Sequence, residues 1–307
     1  MANQLHSILI GAAIAAFVSL PANAGDSNWT TGPTKTFDVK LLKVDDVVGT
    51  LKIDVKESGP VTLQISGLRN RVDGLKIRPQ GGALVIEGHF VDSVWDWSNW
   101  FDFSHLGDNK PDQLIIHASV PKGAAIKVDG LIGNATIAST YGKMEFSANG
   151  STQSTIGNVS EAKVSLAGSG KVMLGDVAGT LHAETAGSGD IHAGNVSDVH
   201  ADIAGSGSIS TGNIARGAHI EIAGAGDFTA ASVNGETHVE IAGSGSVNIA
   251  KGVADPLHVE IMGSGDVTFG GMAVDPHIEA MGSGNVKLKA YRGNLSNEGN
   301  ANLKIGS

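Results

Sequence analysis

The feature that most constrains this chain is a three-residue word repeated in register. Gly168-Ser169-Gly170 recurs as Gly187-Ser188-Gly189, Gly205-Ser206-Gly207, Gly224-Ala225-Gly226, Gly243-Ser244-Gly245, Gly263-Ser264-Gly265 and Gly282-Ser283-Gly284, in steps of 19, 18, 19, 19, 20 and 19 residues. A period near 19 held over more than a hundred residues means one supersecondary unit stacked on itself. The segment Leu257-His258-Val259-Glu260-Ile261 shows what each unit contains. Apolar and polar residues alternate, which puts one set inside and the other outside a strand. Met262-Gly263-Ser264-Gly265 then makes a corner, where glycine is needed for left-handed or crowded backbone. Asp266-Val267-Thr268-Phe269 is a second strand with Val267 and Phe269 inward. A second turn follows, as Gly175-Asp176, Gly194-Asn195, Gly212-Asn213 or Gly270-Gly271, where these residue types are expected to take positive φ.

One such rung cannot bury its apolar face. Stacked about 4.8 Å apart, rungs close a continuous core and pair every strand with its neighbours. No six-residue subrepeat of the left-handed form is present, and parallel crossovers coil right-handedly. The sequence therefore predicts an all-β, right-handed parallel β-helix (a solenoid) with rungs of about 19 residues. Seven strict rungs and two looser ones predict a rod of roughly 40 Å over residues 126–307. Residues 25–125 read as an irregular β-rich part with alternating strands and no helical period, continuing the same stack. An aromatic insertion at 91–110 interrupts it. Lys287, Lys289 and Lys304 are placed to protect the C-terminal edge, and the insertion to cover the other end.

Residues 1–24 read as a signal peptide. Ile8 to Leu20 is an apolar run, and Ala22-Asn23-Ala24 is an A-x-A site with cleavage after Ala24. No later segment is apolar enough to cross a membrane, so the expected location is the periplasm or cell surface of a Gram-negative bacterium. The net charge of −10 argues against nucleic acid, which needs a basic face, and the absence of cysteine excludes disulfides and thiolate chemistry.

The residues resemble the GIN domain, the bacterial head domain of auto-transporter adhesin type. The resemblance rests on the pattern hydrophobic-x-[I/A]-x-Gly-Ser-Gly-[D/S]-[V/I], on the text from Ser66-Gly67-Leu68 to Gly88, and on Val120-Pro121-Lys122-Gly123-Ala124 leading into Ile126-Lys127-Val128-Asp129-Gly130. It spans residues 37–290 and implies a bacterial β-helical head domain of adhesin type; with the signal segment and carboxylates that are repeated rather than singular, the expectation is an exported, non-enzymatic protein that binds a glycan or an envelope protein through the solenoid surface or the aromatic insertion. No series of membrane strands follows the solenoid, so the expectation is a head without its translocator barrel.

Two constellations carry candidate function. His182, His200, His219, His238, His258 and His277 share the register, and Glu184, Asp202, Glu221, Glu240, Glu260 and Glu279 follow two residues after each. Both columns should face outward. Carboxylates one strand spacing apart repel, and histidines beside them can offset this by protonating, which would raise their pKa. The sharper reading is a divalent-metal strip for Zn or Cu, or a pH-sensitive face. The plainer reading is an exposed strand face copied with the rung. No other cofactor is expected. The second constellation is Trp95, Trp97, Trp100 and Phe101 with Asp96 and Asp102, suited either to stacking on sugars or to capping the stack. End-to-end self-association is a further expectation for a rod.

Several lookalikes fail. Gly170-Lys171-Val172 lacks the hydroxyl of a phosphate loop, and Ala167 replaces the first glycine of a nucleophile elbow. The G-G-x-G-x-D spacing of calcium nonapeptides is absent. The column Asp190, Ser208, Asp227, Ser246, Asp266, Asn285 separates like charges instead. The rival to binding is a carbohydrate-active lyase or hydrolase. It would need non-repeated acids beside Lys or Arg, and such acids occur only at Asp92, Asp96 and Asp102.

Overall fold

The computed structural model describes residues 28–88 and 113–306. The signal segment with Ala24 and the insertion residues Trp95, Asp96, Trp97, Trp100, Phe101 and Asp102 lie outside them. The described residues form 25 strands and one helix, Arg69–Asp73. A helix of 5 residues is too short to display a period, which is why alternation gave no sign of it.

From Lys143 onward the chain is a parallel stack. Lys143–Gly150 pairs with Glu161–Gly168 residue for residue, and Glu161–Gly168 with the end of Val177–Gly187. The same register continues through Val196–Gly205 to His277–Gly282. The solenoid has about 9 turns with ~19-residue rungs. In-register stacking turns each position of the rung into a column. Leu166, Thr185, Ile203, Ile222, Ile241, Ile261 and Ala280 form one inward column, all buried. Val172, Ile191, Ile209, Phe228, Val247, Val267 and Val286 form another on the second strand.

The two glycines of each corner serve different needs. The first has φ between 118° and 138° at all seven corners. A Cβ there would also stand 2.1–2.7 Å from the carbonyl oxygen of the stacked glycine in the previous rung. The second does not have positive φ, yet a Cβ on Gly226 would meet Ile203 Cγ2 at 2.4 Å. The middle residue is exposed and contributes only its backbone N–H, as Ser206 N donates to Gly187 O at 2.8 Å and Ala225 N to Gly205 O at 2.8 Å. Serine and alanine are therefore interchangeable there.

The second turn corrects the sequence reading. Gly175, Gly194, Gly212, Gly270 and Gly271 do not take positive φ, nor do Asp176, Asn195 and Asn213. Glycine is needed there for close approach, since a Cβ on Gly194 would lie 2.4 Å from Asp176 Oδ1. The Asn/Asp residues instead form a ladder. Asp176 N donates to Asn158 Oδ1 (2.9 Å), Asn195 N to Asp176 Oδ1 (2.7 Å), and Asn213 N and Nδ2 to Asn195 Oδ1 (3.0 and 2.8 Å). The column after the Gly-Ser-Gly corner works similarly. Ser208 Oγ donates to Asp190 Oδ1 at 2.6 Å and Asn285 Nδ2 to Asp266 Oδ1 at 2.7 Å, so its alternation supplies donors as well as separating charges.

The N-terminal part joins the stack but changes pairing sense. Leu41–Asp45 and Val48–Lys56 lie parallel to Ala125–Ile137, and Val48–Lys56 to Leu114–Pro121. Val61–Leu68 runs antiparallel to Leu114–Pro121 and carries Trp29–Thr31 and Lys35–Phe37, also antiparallel. Lys76–Gln80 closes the edge of Ala83–Glu87 in the same sense. These strands occupy the edges that a parallel stack leaves open at that end. At the other end, Lys287 and Lys304 stand opposite each other on the last two strands of one face, both exposed, with Lys289 nearby.

Gly205→Ala should lower unfolding free energy by more than about 2 kcal/mol, because it combines a glycine-only φ with a backbone clash. Ser206→Ala should stay within about 0.5 kcal/mol of the parent. Urea denaturation of the two variants checks both.

Candidate functional site: a ladder of histidines and carboxylates

The repeated strand ending at each Gly-Ser-Gly corner presents three outward columns. The first holds the histidines. His182, His200, His219, His238, His258 and His277 are register partners in sequence order. Adjacent ring centroids are 4.7, 5.9, 4.9, 6.2 and 6.0 Å apart, two of the contacts stacked and the others tilted or edge-on. The second column holds Glu184, Asp202, Glu221, Glu240, Glu260 and Glu279, likewise paired. None of the twelve side chains is buried, as alternation with inward Val, Ile and Ala requires.

The third column lies two residues beyond the acids: Ala167, Ala186, Ala204, Ala223, Ala242, then Met262 and Met281. The short alanines leave an open groove of about 380 Å³ beside the acids, from Ser147 and Asn149 to Glu221 and Ala223. Farther along, Met262 and Met281 stand out, 56% and 70% exposed.

The sequence reading missed three parts of this face. Lysine precedes histidine in the first column, since Lys127, Glu145 and Lys163 are stacked below His182. Lys127 Nζ reaches Glu145 at 2.9 Å and Lys163 Nζ reaches Glu184 at 3.0 Å. A seventh acid, Glu298, extends the second column by pairing with Glu279. Compact ligand sets also exist across rungs: the donor atoms of His238, Glu240 and Glu260 lie within 4.8 Å of one another, and so do those of His277, Glu279 and Glu298. The aspartates and tryptophans of the insertion lie outside the described residues and enter no part of this geometry.

Residues 43–250 match the model of the family described as "Putative auto-transporter adhesin, head GIN domain". No curated protein matches the chain. Among solved structures, a "Putative lipid binding protein" from Parabacteroides distasonis is similar at 18% identity, TM-score 0.45, over 92% of this chain and 97% of that one. A "putative adhesin" from the same species is similar at 16% identity, TM-score 0.42, over 90% and 98%. A "putative adhesin" from Parabacteroides merdae is similar at 16% identity, TM-score 0.41, over 92% and 97%. Likeness at this level carries no argument about ligands.

Electrostatics divides the ladder. Glu184 accepts hydrogen bonds from Lys163 and Ser165, which hold its pKa below the ordinary value. Asp202 is shifted upward, first by partial desolvation among its neighbours and then by Glu221 and Glu184 above and below it. His200 runs against the expectation from sequence. Its pKa is lowered, first by partial desolvation between the stacked rings and then by the neighbouring His182 and His219, and these outweigh the raising effect of Asp202 and Asp198. Farther along, histidines stand beside the acids instead, with His219–Glu221 and His238–Glu240 each at 2.8 Å and His277–Glu279 at 3.2 Å.

The shifts fix the signs of two pH effects. The depressed Glu184 contributes stability that is present above its unfolded pKa and lost as pH falls through its folded pKa. The raised Asp202 does the reverse: its charged form destabilises the fold near neutrality, and acidification relieves this. Asp202→Asn should therefore raise Tm at pH 7 by ~1–3 °C and lose the advantage at a pH below the carboxylate range. Glu184→Gln should lower Tm at pH 7 and converge with the parent in acid. Thermal melts followed by circular dichroism across pH check both variants.

Proposed function

The chain belongs to the GIN-domain family of auto-transporter adhesin head type, and from that premise we propose that it is an exported, non-enzymatic binding domain whose ladder face takes an extended glycan. The observation that supports this reading is the repetition of one chemistry along the rod. Carboxylates recur at every rung from Glu184 to Glu279, with a groove floored by alanines beside the first three of them. An extended polymer can lie along such a groove. Its hydroxyl groups can donate to the carboxylates, while its apolar ring faces rest on Ala186, Ala204 and Ala223.

A repeated face suits binding better than catalysis. Catalysis needs a singular set of acid and base groups whose environments separate their pKa values. Here each carboxylate has a near-copy one rung away. The adhesin-head family supports placing this domain outside the cytoplasm, at the periplasmic or outer face of the envelope. No helix among the described residues is long and apolar enough to cross a membrane.

Ala204→Arg fills the groove at its middle, and Thr229→Arg places the same bulk on the adjacent face. In a panel of immobilised bacterial surface polysaccharides, the parent should retain at least one polymer. Ala204→Arg should weaken that binding by at least about tenfold, or about 1.4 kcal/mol, and Thr229→Arg should not. No retention across the panel, equal retention by Ala204→Arg, or release of shortened polymer would overturn the reading.

A further inference from the structure

We propose that the C-terminal half of the ladder holds two divalent transition-metal ions, one on His238, Glu240 and Glu260 and the other on His277, Glu279 and Glu298. This inference stands whether or not the groove engages a glycan, because it concerns different rungs and a different ligand.

Both clusters are built the same way. A histidine and the acid two residues on supply two donors from one strand, His238 Nε2 with Glu240 Oε1 at 2.8 Å and His277 Nε2 with Glu279 Oε1 at 3.2 Å. The next rung supplies the third donor through register, as Glu240 pairs with Glu260 and Glu279 with Glu298. In each set the donor atoms already lie within 4.8 Å of one another. Small side-chain rotations would bring them onto one ion, which replaces the proton shared by the imidazole and the carboxylate. One imidazole nitrogen with two carboxylate oxygens suits Zn²⁺, Co²⁺, Ni²⁺ or Cu²⁺, and is a poor set for Ca²⁺, which takes six or more oxygens. The side chains are partly exposed, His238 at 26% and Glu240 at 47%, so water or a partner's donor can complete each coordination sphere.

Charge along the rod points to the same rungs. In the N-terminal part the columns carry Lys127 and Lys163, which pair with Glu145 and Glu184. Beyond Glu221 the acid column runs Glu240, Glu260, Glu279 and Glu298, and the neighbouring column holds only histidines and Ser296. Three histidines and a serine offer no permanent cation against four carboxylates one strand spacing apart, whereas divalent ions do. The two sites sit two rungs apart, roughly 10 Å, with His258 between them. The upstream rungs differ in their ligands: Lys163 and Ser165 already occupy Glu184, and Asp202 is one methylene shorter than its neighbours.

The test uses the full mature chain without an affinity tag, titrated with Co²⁺ and followed by its visible ligand-field absorption, with Zn²⁺ calorimetry alongside. The parent should bind two ions, released by chelator. His238→Asn should reduce the stoichiometry to one, and the pair His238→Asn/His277→Asn should abolish high-affinity uptake, weakening it by at least about tenfold. Glu260→Gln and Glu298→Gln should each remove one site, which keeps the test intact if a histidine variant folds poorly. His200→Asn should leave two ions bound. No uptake at millimolar metal, or uptake unchanged in the double histidine variant or equally reduced by His200→Asn, would overturn the proposal.

Discussion

In-register parallel pairing is the constraint from which everything else in this molecule follows. When His200 pairs with His219 and Glu221 with Glu240, backbone hydrogen bonding places each residue directly over its counterpart in the next rung. A sequence repeat thereby becomes a set of columns, and whatever a column repeats is met about every 4.8 Å. The Gly-Ser-Gly corner keeps that spacing uniform. A side chain on either glycine would strike the rung before it, so the corner stacks only when it has none.

Columns reward some residues and penalise others. Aliphatic columns fill the core, and Asn158, Asp176, Asn195 and Asn213 use the same spacing to hydrogen-bond along the stack. A column of carboxylates is the unfavourable case, since repulsion accumulates with every rung. The chain meets this in two ways. Lysine pairs hold the N-terminal rungs, and farther along imidazoles hydrogen-bond with Glu221, Glu240 and Glu279. Where neither suffices, as at Asp202, the carboxyl shifts upward. The ladder is thus one face with two characters: a groove floored by alanines beside Glu184, Asp202 and Glu221, then a stretch of glutamates, histidines and projecting methionines.

This division explains how a uniform fold can offer distinct binding chemistry. The strand geometry is the same at Ala204 and at Met281, and only the outward residues differ. Function on such a scaffold is written on the outside of the rungs, without altering the core beneath.

Much of the fold was legible in the sequence, because period and alternation are properties of the chain alone. The 19-residue spacing identified the rung, and the alternation of Val259 and Ile261 with His258 and Glu260 placed the ladder outside. What stayed hidden depended on partners. Glu298 lies 19 residues after Glu279, the step of the repeat, but Ser296 stands where a histidine would and no Gly-Ser-Gly corner comes after it; its pairing with Glu279 makes it part of the acid column. The antiparallel edge formed by Val61–Leu68 is equally silent, since alternation reads the same whichever way a neighbour runs. The Gly-Asn turns misled for a related reason: their glycines answer to an oxygen in the adjacent rung, not to their own φ. The downward shift of His200 likewise needed the structure, because its first cause is desolvation within the ladder, ahead of the rings of His182 and His219 that the register already placed beside it. The sequence by itself determined the repeat, the inside and the outside. The tertiary structure decided which carboxylates share an ion-sized space and which lysines they meet, because those distances arise only when one rung is laid on the next.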